Sequence, residues 1–164
     1  MNLTDQERTA KQRQVVDTHI RQENAHEWES VYDTMLRDER AYYDVVPLST
    51  RYHAFQEVQG FYELFESALP DFHVTITGSC DSPGLSLREV TITGTHQGEY
   101  CGVEPKNHRV SFEMAAVYVF LDDEPFKIAA QRIYFDNETV LRQMRGEKGA
   151  LTGIGLAKET HPES

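Results

Sequence analysis

The polar and apolar positions between residues 94 and 146 alternate in a way that sets the architecture of the chain. Two runs dense in β-branched and aromatic residues, 110–121 and 128–135, flank the polar connection Asp122-Asp123-Glu124-Pro125. Such runs about a proline-containing turn predict a hairpin. Strand alternation puts Phe112, Met114, Ala116, Tyr118 and Phe120 on one face of the first strand, with Ser111, Glu113, Ala115 and Val117 on the other. On the second strand Ala129, Gln131, Ile133 and Phe135 share a face opposite Arg132 and Tyr134. Asp136 or Asn137 can then cap a closing helix with the stripe Val140, Leu141 and Met144, stopped by Gly146.

Upstream the period changes from two to 3.6. Residues 5–24 predict a helix with Val15, Val16, His19, Ile20 and Glu23 on one face, and 27–36 a second with Trp28, Val31, Tyr32 and Met35. A short strand over 42–46 ends at Pro47. Residues 54–69 carry the widest stripe, Phe55, Val58, Phe61, Tyr62, Phe65 and Leu69, closed by Pro70. Strands over 72–77 and 85–93 follow, joined by the turn Asp81-Ser82-Pro83-Gly84. Helices first and an antiparallel sheet afterwards predict an α+β domain over residues 1–146. The Gly-, Glu- and Lys-rich stretch 147–164 has no apolar stripe, and a mobile tail is expected there.

Composition narrows the function. A chain of 164 residues is expected to form one domain with a single core. Its formal charge of −11, with no basic stripe, disfavours nucleic acid and anionic membranes, since both demand concentrated Lys and Arg. No stretch approaches a membrane span and residues 1–14 lack the apolar core of a signal peptide, so a cytoplasmic location is expected. Cys80 and Cys101 are then expected to be unpaired thiols. Phosphate-binding loops, dinucleotide fingerprints, zinc spacings and nucleophile elbows are all missing from the sequence.

Several motifs stand out: Gly94-x-His96-x-Gly98, Gly102-x-x-Pro105, Lys127-Ile128, Tyr134-x-Asp136 and Leu141-x-Gln143. In these the chain resembles the SnoaL-like polyketide cyclases of the nuclear-transport-factor-2-like superfamily. The resemblance implies a strongly curved antiparallel sheet wrapped over helices, leaving a conical apolar pocket in which one or two polar groups move protons without a cofactor. It also implies a catalytic aspartate three residues before the one that opens the last helix. Here that position is Ile133. If Ile133 points inward, Gln131 does too, and it can orient a substrate oxygen but cannot act as a base. A convex apolar face on such a sheet would favour a homodimer.

The candidate catalytic residues are His96, Asp44, Tyr118 and Glu113. His96, between glycines that allow close backbone approach, is either a proton shuttle at the pocket mouth or a strand-end residue fixing the next loop. Tyr118 is either a donor to a carbonyl or enolate oxygen or an aromatic wall. Glu113 is a buried base or an outward residue. Tyr43 and Asp44 with His73 or His96 would form a Tyr/Asp/His set like that of dehydratases on this fold. Gln131, Tyr43, His73, Trp28, Phe135 and His26 are the candidate substrate contacts.

His19 and Glu23, one helical turn apart, are readable as a histidine–carboxylate pair at the pocket rim or as a cluster positioning Trp28. A metal face formed with His26 lacks a fourth ligand, and no metal site is expected. His53, His108 and His161 read as surface residues. Three functions fit these residues: a cyclase or isomerase acting on an aromatic or polyketide-like molecule, a lyase eliminating water or a small carbonyl fragment from a phenolic one, and a binding module without catalysis.

Overall fold

In a computed structural model, which describes residues 3–147 and the backbone of 151–152 and 155–156, the helices line one side of a curved, unclosed six-stranded sheet. Helix α1 (Asp5–Asn24) starts in a capping box: the Thr4 hydroxyl accepts from the Glu7 amide and the Glu7 carboxylate from the Thr4 amide. It buries Gln12, Val16, His19, Ile20 and Glu23. Helix α2 (Trp28–Asp33) is shorter than its pattern predicts. Met35 and Leu36 leave it to pair with the backbone at Ile128, so the sheet takes the last turn.

Strand β1 (Tyr42–Val45) turns back through a 3-10 segment, Val46–Leu48, into β2 (Thr50–His53), a mostly exposed edge strand. Helix α3 (Ala54–Ala68) follows, then β3 (His73–Ser82), β4 (Leu85–Thr95), β5 (Arg109–Phe120), β6 (Ile128–Phe135) and α4 (Asn137–Arg145). The order across the sheet is β2-β1-β6-β5-β4-β3. Every pairing is antiparallel except β1 with β6, which run parallel in the register Tyr43↔Gln131 and Val45↔Ile133. Asp136 caps α4 and Gly146 ends it with φ +80°, as the sequence predicts. His108 is half-buried rather than a free surface residue, its Nδ1 lying 2.9 Å from the Met144 carbonyl oxygen.

Polar side chains fasten α1 to the strands, Asn24 through the Val74 backbone among them. Gln12, fully buried, donates to the Pro125 carbonyl and accepts from the Gly84 amide, both at 2.9 Å, tying the helix to two hairpin turns. Arg88, on the inward face of β4, donates to Asp81 at 2.8 Å and to Asp17 of α1 at 3.0 Å. The outer face of the sheet is mixed: Thr75, Thr77, Glu89, Thr91, Glu113 and Arg132 lie beside Leu87, Ala115, Val117 and Val119, with Leu85 and Tyr134 exposed. Among the described residues no helix is long and apolar enough to cross a membrane. Of the tail over 147–164, only Glu147 and a two-residue antiparallel pair, Leu151–Thr152 with Gly155–Leu156, are described; the rest of that expectation lies outside the described residues.

Candidate active site

Two adjoining chambers lie within the curve of the sheet. The outer one, of about 180 Å³, is walled by α3, α4 and the Tyr100–Cys101 turn, with Leu48, Tyr52, Leu64, Phe112, Phe135 and Met144 among its side chains. The inner one, of about 40 Å³, is lined by the more deeply buried Glu23, Tyr43, Tyr62, Tyr118 and Gln131. Phe61, Phe65, Met114 and Ile133 belong to both.

The polar groups of the inner chamber come from five elements. Helix α1 sets His19 and Glu23 on the same face one turn apart, with Nε2 and Oε1 at 3.2 Å. The Thr34 hydroxyl donates to the Val31 carbonyl at 2.6 Å, so its oxygen accepts from His19 Nδ1 at 2.7 Å. That assigns the imidazole proton to Nδ1 and leaves Nε2 as an acceptor. Nε2 faces the Gln131 amide at 2.8 Å and the Tyr62 hydroxyl at 3.1 Å, and the same amide donates to that hydroxyl at 2.8 Å. Tyr118 meets the imidazole edge-on, with ring centroids 5.8 Å apart.

Burial, and then the charge of Glu23, pushes the phenols of Tyr43, Tyr62 and Tyr118 well above their ordinary value. All three are therefore neutral O–H donors at physiological pH. Tyr62 is engaged with His19 and Gln131, whereas the hydroxyls of Tyr43 and Tyr118 have no hydrogen-bond partner among the described residues. Glu23 and Glu99 are the charged side chains on the lining. Among the described residues no group of three or more His, Cys, Asp and Glu could hold a metal ion.

Of the sequence candidates, Tyr118, Tyr43 and Gln131 come together in the inner chamber and Phe135 lies on the outer one. Ile133 points inward, as its register position implies. Asp44 does not face the hollow. Alternation turns it to the outer side of β1, where Arg51 clamps it through both carboxylate oxygens at 2.5 and 2.7 Å. Glu113 is exposed on the outer face of β5 and accepts from Thr91 at 2.9 Å. His73 is likewise exposed, on the outer side of β3.

His96 is fully buried, but its ring lines neither chamber and both its nitrogens lack partners. The flanking glycines bring the backbone against α3: a Cβ on Gly98 would sit 2.2 Å from the Ser67 carbonyl oxygen. Trp28 packs behind Tyr62, with ring centroids 5.6 Å apart, and His26 sits between Trp28 and Phe72; neither touches the hollow. The His19–Glu23 pair belongs to the deep end of the hollow rather than to its rim. Of the inner chamber's polar lining, Tyr62 was not a sequence candidate and Glu23 was read only as half of a pair at the rim. Their signal was a carboxylate on the buried stripe of α1 and a phenol on the widest stripe of the chain.

A model of the SnoaL-like polyketide cyclase family matches residues 8–144. The chain belongs to that family. Its fold is that of a proposed SnoaL-like polyketide cyclase from Jannaschia sp. CCS1, at 13% identity over 90% of this chain and 99% of the other, with a TM-score of 0.75. AclR, a proposed hydroxylase from Streptomyces galilaeus, matches at 17% identity over 89% and 91%, TM-score 0.71. IdmH, a proposed polyketide cyclase from Streptomyces antibioticus, matches at 18% identity over 80% and 96%, TM-score 0.66. At such identities the likeness is one of fold alone. No curated protein matches this sequence.

Proposed function

We propose that this SnoaL-like chain is an acid–base enzyme of the cyclase or isomerase kind, acting on an aromatic or polyketide-like small molecule. One observation carries the reading: a buried carboxylate, Glu23, facing neutral phenols at the deep end of an apolar hollow. Such a carboxylate is a proton acceptor for a carbon acid, because little water competes for it there. As the proton leaves, negative charge gathers on the substrate oxygen. The O–H groups of Tyr118 and Tyr43 stabilise it with hydrogen bonds that strengthen as the charge grows. The carbanion then attacks a carbonyl carbon of the same molecule, whose C=O π pair moves to oxygen and takes the proton back from Glu23, or is reprotonated by Glu23 at another carbon. This chemistry asks for no cofactor. Glu23 takes the role first expected of Asp44 and Glu113, both of which face away from the hollow.

Deuterium exchange at the α-carbon of 1-indanone, followed by NMR in D2O, tests the reading without knowledge of the natural substrate. The chain should catalyse exchange, Glu23→Gln should slow it by about 100-fold and Tyr118→Phe by about tenfold. Exchange at the buffer rate, or equal rates in all three proteins, overturns the assignment.

Ile133 favours a second reading. The place where the resemblance puts the family's catalytic aspartate holds an aliphatic side chain on the wall of both chambers. An elimination served by Glu23 and the phenols does without that acid. Product analysis separates the two, a new double bond marking the elimination and a new ring the cyclisation. A pocket that binds without catalysis would show ligand-induced thermal stabilisation and no exchange.

A further inference from the structure

The two chambers adjoin at Phe61, Phe65, Met114 and Ile133, and the spaces on either side differ in size and character. The outer space, about 180 Å³, is apolar. An apolar cavity of about 150 Å³ takes a single benzene ring. The inner space, about 40 Å³, is less than a quarter of the outer one. It is also where two phenol hydroxyls, those of Tyr43 and Tyr118, stand unpartnered on side chains no more than 5% exposed.

The waist between these spaces is braced. Phe61 packs against Tyr43 with ring centroids 4.4 Å apart and stacks on Phe65 at 6.1 Å, while Ile133 is fixed in the register of β5 and β6. Widening it would disturb α3 and two strands together. The charged lining groups, Glu99 outside and Glu23 inside, are both acidic, so an anionic arm would be repelled at either end.

We propose that Phe61, Phe65, Met114 and Ile133 are a size filter that sets the substrate class of this site. The substrate rests a single ring system in the outer chamber and passes one small neutral oxygen substituent, a hydroxyl or carbonyl, through the waist to Tyr43 and Tyr118. The filter rests on the acid–base reading for what happens after contact, not for the contact itself. A multi-ring molecule with a bulky or anionic inner end does not fit.

Titration calorimetry with an indane series tests this directly. The unmodified protein should bind 5-indanol at least tenfold more tightly than 5-isopropoxyindane or indane-5-carboxylate. Met114→Ala, which opens the waist, should raise the affinity for 5-isopropoxyindane at least tenfold. Ile133→Val, a milder enlargement, should move it the same way and serves if Met114→Ala does not fold. Equal binding of the three ligands by the unmodified protein, or an unchanged ranking in the folded variants, overturns the filter. If the ranking holds while no α-exchange occurs, the filter stands and the catalytic reading fails; exchange without the ranking refutes the filter alone.

Discussion

Tyr118 has its phenol in the inner chamber without a partner, where burial and then the Glu23 charge hold its pKa well above the ordinary value. Tyr43 and Tyr62 share that environment. The sign of the consequence follows from linkage. An unfolded tyrosine releases its proton near pH 10, about its free value. The folded chain keeps these three protons, so ionisation stabilises only the unfolded state. The contribution to stability is full below about pH 10 and is lost as the pH climbs beyond it. Urea midpoints should accordingly be level up to that pH and fall above it, and Tyr118→Phe should make the fall shallower. Phenolate absorbance from the three buried rings should appear together with unfolding. Its appearance in a still-folded protein at pH 10 would contradict the environment described for them.

At the scale of elements, two glycines separate conformational cost from packing need. Gly98 lies where the loop after β4 crosses the end of α3, and its amide, like that of Gln97, donates to the Ala68 carbonyl. A methyl group there would meet the Ser67 carbonyl oxygen at 2.2 Å, so backbone must move. Gly98→Ala should destabilise the chain by about 1–3 kcal/mol, the usual cost of forced overpacking. Gly60, inside α3, has nothing within 4 Å of the position a Cβ would take. Gly60→Ala should stabilise by about 1 kcal/mol, because it removes only unfolded-state freedom. Denaturant unfolding of both variants checks the pair. The stripe of α3 and the long strands were legible in the sequence because burial on one face leaves a period in the residues. Strand β2, largely exposed at the sheet edge, leaves no such period. The early end of α2 was hidden for another reason: it depends on pairing between Met35 and Ile128, far apart in sequence.

Across the whole molecule, alternation told which residues share a face, so Tyr118 with Met114 and Gln131 with Ile133 were readable as inward pairs. It did not tell how deep a strand end reaches, which is why His96 points inward yet misses the hollow. Nor could it bring Glu23 of α1 to Gln131, since that depends on how the helix crosses the sheet. The crossing is fixed at its other end by charge. Arg88 of β4, its side chain 1% exposed, joins Asp81, 2% exposed, to Asp17 on α1. Burial would raise the Asp81 pKa, but hydrogen bonds from Arg88 and Arg13 outweigh it and hold the carboxyl below its ordinary value. The stabilisation from this group is therefore full above about pH 4, the free value, and is lost as the pH falls further. Arg88→Met strands the buried Asp81 beside an exposed Arg13 and should cost about 3–5 kcal/mol. Arg88→Met with Asp81→Leu removes both charges from the interior and should recover most of that loss, since an apolar pair of similar volume avoids the desolvation cost. The double variant should also lose part of the acid dependence. If it is no more stable than Arg88→Met, the bridge fastens α1 by a geometry that packing cannot replace, and the helix should then shift enough to alter ligand binding in the inner chamber.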